Sequence, residues 1–251
     1  MEAIFQAEAV HFSYHGAPII NGIDFALYKG EILSIIGPNG AGKTTFLNLL
    51  SGNLFPKQGD IYFKGKNITK MKPHKRRLLG ISRSFQITNI FMNHTVYENL
   101  RYAAQAINRR KYKTLKNIEA IAEIHEQTEK LLDICHLKEF KDVRCSELAY
   151  AEQRLVEIGL ALAGDTEVLL LDEPTAGLSV EESRYIADFI KQLSREFDLS
   201  IVFIEHDMDI VFDISDRISV LHYGELLLTD APENIKGNQR VQEIYLGEEL
   251  A

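Results

Sequence analysis

The sequence predicts an α/β protein with a mixed, largely parallel core sheet, an N-terminal antiparallel β portion and an inserted helical portion. Three observations carry this. The apolar runs "EVLLLDEP" and "SIVFIEHD" end in acidic or polar residues and flank the helical stretch Glu181 to Phe197. That alternation makes parallel strands joined by crossover helices. A glycine-rich turn, "GPNGAGKTT", sits directly after an apolar strand and before a helix. From about Thr95 to His136 glycine and proline vanish, and Ile118, Ile121, Ala122, Leu132 and Cys135 recur at helical spacing.

Taken in order, "AIFQAEAVHFSY" and "IDFALYKGEILSII" have strand composition, with a turn at Tyr28-Lys29-Gly30. One helix follows the glycine-rich turn. "GDIYFKGKNI" reads as a hairpin, and "ISRSFQ" as a strand leading out of the first lobe. Within the helical insertion, Arg109, Arg110, Lys111, Lys113 and Lys116 form a basic run. It is either a solvated face or an electrostatic contact with a membrane surface or partner. The chain reads as one compact core with one insertion, without internal repeats or low-complexity linkers.

Composition bounds the function. A chain of 251 residues with 45% hydrophobic and 25% charged residues is long enough for a sizeable core. The net charge of −8 argues against nucleic acid as the main ligand. Cys135 and Cys145 lack metal-ligand spacing and suggest a reducing compartment. The N-terminus shows no basic segment followed by an apolar stretch, so no secretory signal is expected. The apolar runs fall far short of the ~20 residues that span a bilayer. A cytosolic location is expected unless another subunit holds the chain at a membrane.

Gly37-Pro38-Asn39-Gly40-Ala41-Gly42-Lys43-Thr44 satisfies G-x-x-x-x-G-K-[ST] in its required strand–helix setting. Its glycines let backbone N–H groups turn inward around phosphate oxygens, and the helix N-terminus adds its positive dipole end. Lys43 is suited to the β- and γ-phosphates, Thr44 to Mg2+, and Thr45 to a neighbouring phosphate. A merely structural turn needs neither the lysine nor this setting. Asp172, at the end of a buried strand, can hold Mg2+ through water, and Glu173 can polarise an attacking water. No N-K-x-D guanine motif is present, which weakens a GTPase reading.

The order of "GPNGAGKTT", "SFQ", "LAYAEQR", "LLLDEPTAGL" and "IEHD" resembles the ATP-binding cassette (ABC) family over essentially the whole chain. The resemblance implies a P-loop ATPase fold, with residues 1–85 and 164–251 forming the core and its antiparallel β subdomain. Residues 86–163 form the inserted helical subdomain and carry the signature segment. It further implies ATP and Mg2+ as ligands. Tyr14 matches the aromatic that stacks on adenine. Gln86 matches the glutamine that senses Mg2+ and the attacking water, and His206 the histidine that contacts the γ-phosphate. Two cassettes of this family sandwich two ATPs, each lending its signature to the other's site. Here the usual L-S-G-G-Q reads Leu148-Ala149-Tyr150-Ala151-Glu152-Gln153. Ala149, Tyr150 and Ala151 replace the serine and both glycines. Leu160 stands at a usual arginine, and Ser179 at a common aspartate. The half-site provided in cis looks complete, while the face provided in trans looks weakened. A heterodimer with a second cassette is therefore expected.

Finer resemblance, in "IEHDMDIVFDISDRISVL" and the closing "VQEIYLGEEL", points to the hydrophobic amino acid uptake subgroup. Such a subunit would work at the cytoplasmic face with two permease subunits and a solute-binding protein, and branched-chain amino acids are the expected solute. "EIGLALA" and "SVLHYG" are as similar to urea or short-chain amide importers, which stay open as an alternative. A lipid- or lipopolysaccharide-extracting cassette is the other transport reading. A non-transport cassette would carry a second cassette, a coiled coil or basic extensions.

Overall fold

In the computed structural model, residues 3–84, 90–107 and 118–246 are described. β1 (Ala3–Tyr14) and β2 (Ala17–Tyr28) pair antiparallel as the long arms of a hairpin. β2 starts at Ala17, upstream of the Ile23 that composition marks. After the turn at Tyr28–Gly30 come β3 (Ile32–Ile36) and α1 (Lys43–Ser51), which begins within the glycine-rich motif. β4 (Gln58–Phe63) and β5 (Lys66–Asn67) form the expected hairpin. α2 (Pro73–Arg77) is a helix the sequence reading did not anticipate. Five residues carry no periodicity, and only Pro73 in the first turn marks it. β6 (Ile81–Arg83) is shorter than "ISRSFQ", and Gln86 lies outside the described residues.

α3 (Val96–Ile107), α4 (Ile118–Ile134) and α5 (Tyr150–Leu162) make the helical portion, with one-turn 3-10 segments between the last two. The basic run Arg109 to Lys116 lies outside the described residues. The core resumes with β7 (Val168–Asp172), α6 (Val180–Phe197), β8 (Ser200–Ile204) and α7 (Met208–Ile214). It ends with β9 (Arg217–His222), β10 (Glu225–Asp230), α8 (Pro232–Lys236) and α9 (Gln239–Leu246).

The strands form two sheets. One is antiparallel, in the order β2-β1-β4-β5; the other runs β10-β9-β3-β8-β7-β6. In the second sheet β9, β3, β8, β7 and β6 are parallel, and only β10 is antiparallel, at the edge. Every residue of β3, β7 and β8 is buried, which explains their unbroken apolar character: both faces of these strands are covered.

Alternation along β3 divides the interior in two. Leu33 and Ile35 face the antiparallel sheet and α1, where Phe46 meets Phe25 edge to face at 5.4 Å. Ile32 and Ile36 face the helices on the other side, with Leu155, Val156 and Ile158 of α5 and Ile186 of α6. Each large apolar side chain so buried contributes roughly 1.5–3 kcal/mol. Cys135 and Cys145 are free thiols buried in the helical portion. Burial pushes them up to about 12 and about 11. No described helix is long and apolar enough to cross a membrane.

Candidate functional site

Because β3, β7 and β8 are parallel neighbours, the segments leaving their carboxyl ends meet on one side of the sheet. The glycine-rich loop leaves β3, Asp172 closes β7, and Glu205-His206 follows β8. The loop is pressed against the β9–β10 turn. A Cβ on Gly37 would lie 2.0 Å from the Leu221 carbonyl oxygen, so no other residue fits there. The Gly224 amide donates to the Ala41 carbonyl at 3.0 Å and fixes the far side of the loop. Lys43, although charged, is buried; its Nζ donates to the carbonyls of Gly37 (2.5 Å) and Pro38 (3.0 Å). The ammonium thus sits inside the curl of backbone where phosphate oxygens would be received.

Tyr14, Asn39, Gly40, Ala41, Gly42, Lys43, Thr44, Thr45, Glu173 and His206 line one cleft of about 310 Å³. Nearly every residue expected in the cis site is thereby brought together. Tyr14 is exposed at the mouth, with its ring held edge to face by Phe12 at 4.8 Å. His206 Nε2 lies 3.1 Å from Glu173 Oε1. Glu173 has φ +50°, a left-handed conformation that costs a non-glycine residue on the order of 1–3 kcal/mol. Its amide donates to the Ile204 carbonyl, which locks the turn and aims the carboxylate into the cleft beside His206.

Asp172 is buried beneath the cleft. Thr44 Oγ1 donates to Asp172 Oδ1 at 3.5 Å, while Arg83 Nη2 donates to Oδ2 at 2.8 Å. Burial pushes the Asp172 carboxyl above its ordinary value, and the Arg83 guanidinium opposes that rise. Arg83 is anchored in turn on Asn48 Oδ1 at 2.6 Å. A hydroxyl and a carboxylate oxygen side by side are hard donors, the type that suits Mg2+ beside phosphates. These residues fit that ion.

Arg83 and Glu205 are two site residues that the sequence reading missed. Arg83 carried a signal, a lone charge on a strand flanked by apolar and small residues. Glu205 is buried, and its carboxyl is pushed up to about 7 by burial and by the neighbouring charges of Glu173 and Asp207.

The signature segment is elsewhere. Ala149 caps α5 without a side-chain hydrogen bond, Tyr150 is 72% exposed, and Ala151 is buried. Gln153 Nε2 turns back to the Leu148 carbonyl. None of Ala149, Tyr150, Ala151 and Glu152 lines the cleft.

Fold and cleft together define a nucleoside-triphosphate-hydrolysing cassette. A family model described as ABC transporter matches residues 20–176. The chain is 34% identical to the "High-affinity branched-chain amino acid transport ATP-binding protein LivG" of Escherichia coli (strain K12), over 98% of this chain and 99% of that protein. It is also 34% identical to the corresponding BraF protein of Pseudomonas aeruginosa, over 98% of each. Among solved structures it is similar to a nucleotide-free ATP-binding cassette from an ABC transporter, with TM-score 0.84 and 28% identity over 97% and 99% of the two chains. The ADP conformation of an ATP-binding cassette of an ABC transporter gives TM-score 0.85 and 27% identity over 98% and 100%. The chain belongs to the ABC transporter family, and its reaction is ATP hydrolysis.

Proposed function

We propose that this chain is the ATP-binding subunit of an importer for branched-chain amino acids, acting at the cytoplasmic face of the membrane. The observation that carries the reading is the single cleft joining Tyr14, the phosphate loop, Glu173 and His206. The solute rests on the relatives named for branched-chain amino acid transport.

ATP is positioned by the chain's own groups. Tyr14 offers its ring to adenine, and the amides of residues 39–45 with the start of α1 receive the phosphates. Lys43 exchanges its contacts with the Gly37 and Pro38 carbonyls for phosphate oxygens. Thr44 and, through water, Asp172 would hold Mg2+, which would supply charge neutralisation to the phosphates. Glu173 accepts a proton from the attacking water and orients it in line with the γ-phosphorus. His206, within hydrogen-bond distance of Glu173, keeps that carboxylate oriented and reaches the γ-phosphate. Gln86 is assigned, from the family resemblance, to sensing Mg2+ and the attacking water.

The second half of each site comes from another cassette. Ala149 has no hydroxyl for a γ-phosphate, and one lost charge-assisted hydrogen bond costs on the order of 1.5–3 kcal/mol. A heterodimer confines this defect to one site, so the partner is a cassette with a more ordinary signature. A second reading has one observation in its favour. The bare N-terminus of α5, with no side-chain cap, leaves backbone N–H groups to bind phosphate alone, which would permit a homodimer. Two permease subunits and a solute-binding protein complete the assembly.

Purification with the membrane subunits, followed by ATPase assay in the presence of loaded binding protein, tests the reading. Leucine, isoleucine or valine should stimulate hydrolysis. Stimulation by urea or short amides instead would move the chain to that importer class, and no ATP hydrolysis under any condition would overturn the reading altogether.

A further inference from the structure

The stretch Pro73–Arg77 belongs to none of the motifs, yet its last two residues reach the two helices on which the proposed chemistry depends. Arg76 is fully buried and all its hydrogen bonds run to carbonyls. Nη1 donates to Leu49 (2.9 Å) and Leu50 (2.6 Å) in the last turn of α1. Nη2 and Nε hold the Ile68, Thr69 and Met71 carbonyls of the adjoining loop. Arg77 does the same at the end of α5. Its Nη1 donates to the Ala161 carbonyl (2.6 Å) and Thr166 Oγ1 (2.9 Å) and meets Ser82 Oγ. Its Nη2 donates to the carbonyls of Leu160 (3.2 Å) and Ala163.

The last carbonyls of a helix lack intrahelical partners and carry the negative end of its dipole. A guanidinium fork answers both needs at once, with a planar geometry that an ammonium cannot copy. Burial lowers both arginines to about 10, which leaves them charged at neutral pH. Two adjacent residues of one short helix therefore hold the tail of the phosphate-loop helix and the tail of the signature helix.

We propose that Arg77 is a positioning residue that sets how α5 presents the signature, with Arg76 setting the seat of α1. The inference rests on the reading above, in which the signature completes the site of a second cassette. Ser82 lies on β6, and Thr166 precedes β7, so Arg77 joins the end of α5 to the edge of the core sheet. Near that same end, α5 is packed closely against α3 and against Cys135 just past α4. A Cβ on Gly159 would meet Leu100 Cδ2 at 2.8 Å and Cys135 Sγ at 3.0 Å. The helical portion thus turns as a unit about the end that Arg77 holds. The signature lies at the opposite end of this 13-residue helix, about 20 Å away. A small tilt at the held end becomes a displacement of ångströms there.

Paired spin labels on Glu147→Cys and Lys66→Cys, both exposed positions, report where the signature end stands relative to the core. The buried native thiols stay unlabelled. In the full chain, Arg77→Lys and the gentler Thr166→Val should broaden or shift that distance by about 3 Å, the lever effect of a loosened helix end. Affinity for a fluorescent ATP analogue should stay within about twofold, and kcat should fall about tenfold at unchanged KM, the pattern of an interaction made only in the transition state. Arg76→Lys should do the reverse, weakening nucleotide affinity and leaving the distance unchanged. An unchanged distance in folded Arg77→Lys and Thr166→Val proteins would reduce Arg77 to a local helix cap and overturn the inference. So would a loss of nucleotide affinity in the Arg77→Lys and Thr166→Val proteins equal to that in Arg76→Lys. If the unsubstituted protein fails to hydrolyse ATP in its complex, the functional reading falls, while the distance measurement still decides the role of Arg77.

Discussion

The cleft at the carboxyl ends of β3, β7 and β8 and the exposed start of α5 are built by opposite means. In the cleft each charged group is tied to a neighbour. Lys43 is held by two carbonyls, Asp172 by Arg83, and Glu173 stands against His206. At the start of α5 the capping position is an alanine with no acceptor, and Tyr150 stands in solvent. The difference teaches which half one chain finishes for itself. The cleft is preorganised by its own fold, whereas the signature end is an exposed, uncapped helix start.

The sharpest way to break this comparison is at Glu173. If the cis cleft holds the complete hydrolytic machinery, Glu173→Gln should bind ATP within a few-fold of the unsubstituted protein. It should also lose turnover by about 10²–10³-fold, as expected when a positioned base is removed. An ATP-held dimer should accumulate. Near-normal hydrolysis would show that the carboxylate in the cleft is not the group that activates water.

A second, smaller effect probes the charge packed behind the cleft. In the folded chain the Glu205 carboxyl titrates at about 7, against an ordinary value of 4.5. Below both values the residue is neutral in folded and unfolded chains and has no linkage effect. As pH rises from 4.5 to about 7, the unfolded chain releases a proton that the folded chain retains, so stability falls; above 7 the loss is constant. Glu205→Gln should therefore raise stability by roughly 3 kcal/mol at pH 8, with the gain fading towards pH 4.5. Thermal melts across that range measure it. A gain independent of pH would mean that the carboxylate is not buried as charge.

The smallest effect falls on the other region. Ala149→Ser together with Ala151→Gly should raise turnover in the partner cassette's site by about tenfold, the worth of one recovered hydrogen bond. The cleft of this chain should change little. Strong, cooperative ATPase activity from the unsubstituted chain alone would instead show that backbone N–H groups suffice at the signature.

The cleft was legible in the sequence because its chemistry demands particular residue types at strand ends. Lys43, Thr44, Asp172, Glu173 and His206 are each fixed by an apolar run that precedes them and a helix that follows. The parallel sheet was legible for the same reason, since buried strands show no alternation. Arg76 and Arg77 were not legible, and Arg83 showed only as a lone charge on a strand. What they hold, the ends of α1 and α5 and the carboxylate of Asp172, is distant in the chain and leaves no local spacing. Arg76 stands among the basic residues of "PHKRR" yet is fully buried. Glu205 escaped because an acid beside a histidine looks like surface until β8 is known to be covered on both faces. α2 was too short for any periodicity to show.

The backbone at Glu173 has an evolutionary side. At φ +50° a glycine or an asparagine would sit more easily than a glutamate. A library selected for heat resistance alone would drift towards those residues at 173 and arrive at sturdy, silent proteins. Under the role proposed for Glu173, the strain at this turn is kept for turnover and would be relieved only at its expense.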